Sequence, residues 1–484
     1  MEHSLPKKER PMVGFIWRFL ERCGAHLVTF FVSIVLARKL DPKAYGIVAL
    51  VSSFTIIVQT FVDSGLGVAL VQKKDADELD YSTVFYFNIG FCTLLYVFSF
   101  VCAPFVAAFY NSDELISLIR VLSITILISG VKNIQQAYVS KNMMFKKFFF
   151  STLAGTIAAS VVGVYLAYAG YGVWALVCQN LTNKIIDTCI LWITVKWRPK
   201  RCFSVQRLTD LWKYGWKILA ATLIDRFYKQ LRSLIIGKQY SSADLAYYNK
   251  GEQYPGLVVD NIDVSIDSVL LPSLSTLQDN IQAVKSFTRN ALQVGSFILT
   301  PLLMGLAVCA EPIVNLMLTE KWLPCVPYLR VFCFCYALRP LNTANLNAIK
   351  AIGRSDVYLR LDIIKKMVGI IIIIATVRIS VFAMALGLAL SGAIAMIINA
   401  QPNKKLLNYT FAEQIKDMAP PVLISCVMGG FVWCVSLLHL SDALTLLIQI
   451  PLGALVYIML SIIIKPHGFL YIRNRIENVF RFKC

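Results

Sequence analysis

Apolar runs long enough to cross a bilayer follow one another along almost the whole chain. They fall at 12–37, 44–70, 82–109, 115–139, 148–169, 171–195, 212–237, 244–272, 283–310, 322–349, 358–377, 380–400, 418–438 and 442–464. A helix needs about 20 predominantly apolar residues to cross the hydrocarbon core, so each run is a candidate span. The seventh and eighth runs are polar enough for a hydropathy scan to pass over. Of the 484 residues, 57% are hydrophobic and 15% charged, against about 45–50% and about 25% in soluble proteins. A soluble multidomain enzyme is excluded. The expected fold class is an all-α polytopic membrane protein, with about 14 transmembrane helices in two six-helix lobes plus two C-terminal helices.

Orientation follows from the basic residues, which are retained on the cytoplasmic side. With the N-terminus inside, 29 of the 47 Lys and Arg fall in inner segments, including Lys196, Arg198, Lys200 and Arg201, and six fall in outer loops. Both termini are therefore expected in the cytoplasm. Lys7, Lys8 and Arg10 lead into the first run without a small-residue cleavage site, so the first helix is expected to be retained. The formal net charge of +19 calls for an anionic partner. The basic residues sit in loops and spans and not on a soluble basic face, which favours lipid headgroups or an anionic lipid substrate over nucleic acid. The 13 cysteines never form a CxxC pair and read as small packing residues, with no metal site expected.

A weak internal repeat appears at an offset of 200. Ala37 to Pro42 aligns with Gly237 to Ser242, and without a gap Asp63 falls on Asp263 and Leu70 on Leu270. Six spans per unit would make the halves parallel repeats with a cavity between them. The expected organisation is one six-helix lobe at 1–200, a second at 201–410, two added helices at 411–465 and an amphipathic cytoplasmic tail at 466–484.

Twelve basic residues remain inside the runs, where each costs roughly 2.5–3.5 kcal/mol at a helix centre unless it faces a wet interior or a partner. Arg18, Arg22 and His26 recur at i, i+4 and share one helix face. Asp225, Lys229 and Arg232 lie at i, i+4 and i+7 on the seventh run, with Arg226 beside them and on the repeat position of His26. The functional reading is an anion-binding cavity lined by Arg18, Arg22, His26, Arg226, Lys229 and Arg232, since guanidinium groups match phosphate oxygens. The alternative is local ion pairing with Glu21 and Asp225. The acidic set, Asp63, Asp263 and Asp267 with Asp260 on the same face as the last two, reads as a proton or sodium coupling site or as counter-charge for the arginines.

No P-loop, HExxH or GxSxG motif is present, and the outer loops are too short to build the site of a membrane polymerase or ligase. The chain is expected to move a substrate without converting it, and no cofactor is expected. Several segments carry a resemblance. Leu36-Ala37-Arg38-Lys39-Leu40-Asp41-Pro42-Lys43-Ala44-Tyr45-Gly46 is similar to the "ARxLxPxxYG" pattern, and Asp63-Ser64-Gly65-Leu66-Gly67-Val68-Ala69-Leu70-Val71-Gln72 to the "GLxxALVQ" pattern, of the Wzx-type polysaccharide flippases. Tyr171 to Val177, Leu271 to Ser275 and Lys321-Trp322 add to it. This family is the polysaccharide branch of the superfamily that also holds the MATE drug exporters and the lipid II flippase.

The resemblance implies alternating access and an undecaprenyl-pyrophosphate-linked oligosaccharide as substrate. It also implies a bacterial inner membrane, exopolysaccharide, capsule or O-antigen assembly as the setting, and membrane lipids, a polymerase and export machinery as partners. Arg18 and Arg22 are the positions it carries over as cavity-lining. A MATE-like ion-coupled multidrug antiporter is the alternative; it would favour a carboxylate-rich cavity.

Overall fold

The structure is a computed structural model that describes the backbone of residues 11–63 and 65–481, and the side chains of these except 11–16, 19, 261, 263–269, 271–272, 476 and 478–481. Its secondary structure among the described residues is helical, with no strand. The chain divides into two compact units, with the boundary between Ala246 and Tyr247.

The first unit holds α1 (Pro11–Lys39), α2 (Pro42–Asp63), α3 (Leu66–Gln72), α4 (Glu78–Tyr110), α5 (Glu114–Leu122), α6 (Ile124–Lys141), α7 (Phe145–Tyr168), α8 (Val173–Thr194) and α9 (Val205–Gln239). Helix α10 (Ser242–Ser275) begins here and continues into the second unit. Close packing depends on small residues, as expected where lipid offers no hydrophobic drive between helices. A Cβ on Gly155 of α7 would sit 3.0 Å from the Asn183 carbonyl of α8, and one on Gly163 would lie 3.1 Å from Gln179. At the start of α2, a Cβ on Gly46 would reach within 1.6 Å of the Ser242 carbonyl oxygen. Hydroxyls inside helices are satisfied by the carbonyl one turn back, as in Thr60 to Ile56 (2.8 Å) and Ser160 to Thr156 (2.6 Å), so they add no unpaired donor to an apolar setting.

Two of the expected continuous runs are broken. Within the run at 44–70, α2 ends at Asp63 and α3 begins at Leu66, and the Asn133 amide of α6 donates to the Val62 carbonyl near the end of α2. In the run at 115–139, the Thr125 hydroxyl donates to the Leu122 carbonyl (2.6 Å) while the Ile126 amide bonds Ser123 (2.9 Å). That i−3 bond tightens the turn and separates α5 from α6.

The basic linker 195–204 is tied down. The Ser82 hydroxyl accepts from the Lys200 amide (3.0 Å), and Gln135 donates to the Trp197 carbonyl (3.2 Å). At the neighbouring corner Lys73 and Arg207 both pair with the fully buried Asp80, at 2.6 and 3.7 Å.

The second unit continues with α11 (Ile281–Val308), α12 (Ala310–Leu318), a 3-10 turn (Glu320–Cys325), α13 (Val326–Ala337), α14 (Arg339–Ala351), α15 (Ser355–Thr376), α16 (Val381–Leu406), α17 (Phe411–Ser436), α18 (Asp442–Ile464) and α19 (His467–Arg481). The run at 322–349 is thus several pieces. Thr319, at φ +85°, stops α12, and Pro340 sits in the first turn of α14, where a proline costs least. A ladder of buried amides joins α14 to α16, with Asn399 donating to Asn342 (2.7 Å) and Asn403 to Asn345 (2.5 Å). Helix α19 lies on α11: a Cβ on Gly468 would be 2.7 Å from the Gln293 carbonyl oxygen, and Phe469 packs its ring 6.1 Å from that of Phe297.

Among the described residues, nine segments are long and apolar enough to cross a membrane. Fourteen were expected. The long helices α8, α9, α10 and α15 are not among the nine, and each carries charged residues within its length. Large side chains such as Phe105, Ile193, Leu447 and Ile463 are exposed, the pattern of surfaces whose solvent is lipid.

Candidate functional site

The cations of α1 differ in their surroundings. Arg18 pairs with Glu21 at 2.8 Å, and its guanidinium lies 4.3 Å from the Phe148 ring centroid on α7. Glu21 is buried and also accepts from Thr152 of α7 at 3.1 Å. Arg18 is therefore stacked and neutralised locally. Arg22 and His26, one and two turns on, are exposed and make no salt bridge among the described residues.

Helix α9 shows the same division. Lys229 pairs with Asp225 at 2.8 Å along its own helix, whereas Arg226 is exposed and outside any salt bridge among the described residues. Arg232 is only 7% exposed. Its guanidinium lies 5.8 Å from the Tyr228 ring, and its Nη2 meets no hydrogen-bond partner among the described residues. Helix α1 packs on α7, while α9 packs on α2, α3 and α4. The two basic sets thus belong to different helix–helix interfaces of one unit.

Asp63 ends α2, where its side chain is reachable by solvent although protein surrounds the carboxylate on most sides. The cations acting on its carboxylate are Lys184 of α8 first, then Lys132 of α6 and Arg226 of α9. Lys132 is itself paired with Asp187, both nearly fully buried, and the second Asp187 oxygen has no hydrogen-bond partner. Cations from three helices of the first unit thus influence one carboxylate on a fourth. Lys132, Lys184 and Asp187 lie inside apolar runs but outside the site expected from the sequence. The available signal was the spacing of Lys184 and Asp187 at i, i+3 in an otherwise apolar run.

Asp263 and Asp267 lie on α10, with side chains outside the described residues. Asp260, one turn before, pairs with Arg339 at 2.8 Å in the second unit. Counter-charge is thus the role seen for Asp260. Among the described residues, no three His, Cys, Asp or Glu are grouped as a metal site.

Residues 35–327 match the family model described as polysaccharide biosynthesis protein. The chain belongs to this family. The matched region contains Asp63, Lys132, Asp187, Arg226, Lys229 and Arg232, whereas Arg18, Arg22 and His26 precede it. The teichuronic acid biosynthesis protein TuaB of Bacillus subtilis is 26% identical, over 85% of this chain and 87% of its own length. The succinoglycan biosynthesis transport protein ExoT of Rhizobium meliloti is 20% identical, over 70% and 69%. Among solved structures, the lipid II flippase MurJ in an inward closed conformation superimposes with a TM-score of 0.73 at 17% identity, over 94% of this chain and 98% of that one. This member of the polysaccharide biosynthesis family therefore shares the polytopic helical fold of MurJ.

Proposed function

We propose that the chain is a flippase that carries undecaprenyl-pyrophosphate-linked oligosaccharide repeat units across a bacterial inner membrane by alternating access, for exopolysaccharide, capsule or O-antigen assembly. The observation that carries this reading is cationic. Among the described residues, Arg22 and Arg226 are exposed without a salt bridge, and Arg232 is buried with an unsatisfied guanidinium nitrogen, in a chain of the polysaccharide biosynthesis family. Unneutralised guanidinium groups inside a membrane protein suit a pyrophosphate, which offers oxygens for charge-assisted hydrogen bonds.

In this scheme the pyrophosphate engages Arg22, His26, Arg226 and Arg232 while the lipid tail stays in the bilayer. Arg18 and Lys229, held by Glu21 and Asp225, shape the field around it. Asp63 couples the cycle to an ion gradient together with Asp263 and Asp267. The six-helix lobes at 1–200 and 201–410, the cytoplasmic placement of both termini, and partnership with a polymerase and export machinery are parts of the same proposal.

The test deletes the gene in its host and locates lipid-linked sugar with a sugar-specific probe on right-side-out and inverted vesicles. Accumulation on the cytoplasmic face, cleared by the wild-type chain, is the expected result. An unchanged distribution together with altered resistance to cationic compounds would overturn it in favour of a MATE-like antiporter.

A further inference from the structure

In the second unit, the N-terminal ends of α17 and α19 and the first half of α11 line an open cavity of about 420 Å³. Its charged lining is Arg289, Glu413, Lys416, Asp417 and His467. The two acids are already committed. One Asp417 oxygen accepts from Arg289 (2.6 Å) and Gln293 (3.0 Å), and the other accepts from the Tyr409 hydroxyl (2.7 Å). Burial and that bond push the Tyr409 phenol well above its ordinary range, so it remains a donor. Glu413 closes the capping box of α17 with the Thr410 amide (2.8 Å) and lies 3.6 Å from Lys285.

The uncommitted groups of the lining are mainly donors. Lys416 and His467 are exposed and make no hydrogen bond or salt bridge among the described residues. The first bonds of α19 run from the Phe469 and Leu470 amides to Pro466, at 3.0 and 3.2 Å. The amides of His467 and Gly468 therefore precede the bonded turn, at the positive end of the helix dipole. Their place at the cavity wall is fixed by the contact of Gly468 with α11, which a Cβ would obstruct. A chamber with satisfied acids, a spare ammonium, a spare imidazole and two spare amides matches a phosphate group.

We propose that this cavity is a second anion site, separate from the α1 and α9 cations, that binds a phosphate group on Arg289, Lys416, His467 and the first amides of α19. The group comes from an anionic phospholipid headgroup or from free phosphate. Purified full-length protein in detergent would be titrated with short-chain phosphatidylglycerol, short-chain phosphatidylcholine and inorganic phosphate, and thermal stabilisation followed. Saturable stabilisation by phosphatidylglycerol and not by phosphatidylcholine, weakened at least tenfold in Lys416→Ala/His467→Ala and retained in Lys416→Arg and in Arg22→Ala, is expected for a headgroup. The same pattern with inorganic phosphate alone assigns the free anion and equally supports the site. Unchanged affinity in the double variant, or loss in Arg22→Ala instead, overturns the proposal. Should the double variant fail to fold, Lys416→Glu alone serves as the test, since reversing that charge must abolish anion stabilisation.

Discussion

Among single residues, the division between neutralised and free charge decides what each can do. Lys132 and Asp187 form a buried pair, and removing one partner leaves an uncompensated charge away from water, worth about 3–5 kcal/mol. Asp187→Asn and Lys132→Met should each lower the midpoint of thermal unfolding in detergent strongly, whereas Lys132→Met/Asp187→Leu should recover much of the loss. Equal damage from the single and double changes would mean that the pair is not the source of the cost. Arg22 and Arg226 are different, because their exposed guanidinium groups have no salt bridge among the described residues to lose. A charge-assisted hydrogen bond contributes about 1.5–3 kcal/mol, so Arg22→Ala and Arg226→Ala should each slow sugar-lipid export about tenfold or more with near-normal stability. Lys213→Ala, which breaks only the exposed pair with Asp210, should leave export unchanged. Lys132, Asp187, Arg22 and Arg226 all lie within apolar runs of the sequence. The sequence did not reveal that Glu21 reaches Arg18 and Thr152 together, because that depends on α7 lying against α1.

For the helices, glycine marks where backbones touch. Gly46→Ala puts a methyl group against the Ser242 carbonyl and should cost about 1–3 kcal/mol. Gly90→Ala, in the interior of α4 with nothing within 4 Å of the new carbon, should be neutral or gain about 0.5–1 kcal/mol. Unfolding midpoints of the two variants would separate contact from propensity.

The corner that starts α4 depends on pH. The Asp80 amide, together with Arg207 and Lys73, holds the Asp77 carboxyl below its ordinary value. A depressed carboxylate stabilises the fold above its unfolded pKa of about 3.9, and that contribution is lost as pH falls through the lower folded value. Hydrogen exchange of amides 74–80 should therefore hold steady down to about pH 4 and accelerate below it, modestly, because Asp77 is half exposed. The break at 123 was not legible from hydropathy, since both of its flanks are apolar. The cause is local competition for the Leu122 carbonyl by the Thr125 hydroxyl.

At the scale of the molecule, topology is the testable property. Helix α8 has 22 residues, about 33 Å at 1.5 Å per residue, so its ends should lie on opposite sides of the membrane. A cysteine at Tyr171 should be labelled by an impermeant thiol reagent from outside in intact cells and one at Lys200 only after permeabilisation; the reverse pattern would invert the proposed orientation.

The sequence by itself determined the class of the protein, the position of nearly every helix and the residues that carry charge into the membrane. Length, hydropathy and i, i+4 spacing are properties of one segment at a time, and a bilayer rewards them directly. Spacing along one helix already offers Glu21 to Arg18 and Asp225 to Lys229; only the tertiary structure decided which charges are neutralised between helices. Whether Lys132 or Asp260 meets a counter-ion, and whether Arg22 or Arg226 does not, depends on which helix faces stand within a few ångströms of each other. A weak offset-200 repeat and scattered charges do not encode that pairing. It comes from small-residue contacts such as Gly155 of α7 against α8 and Gly468 of α19 against α11, which set how closely helices approach and so which side chains share a dry interface.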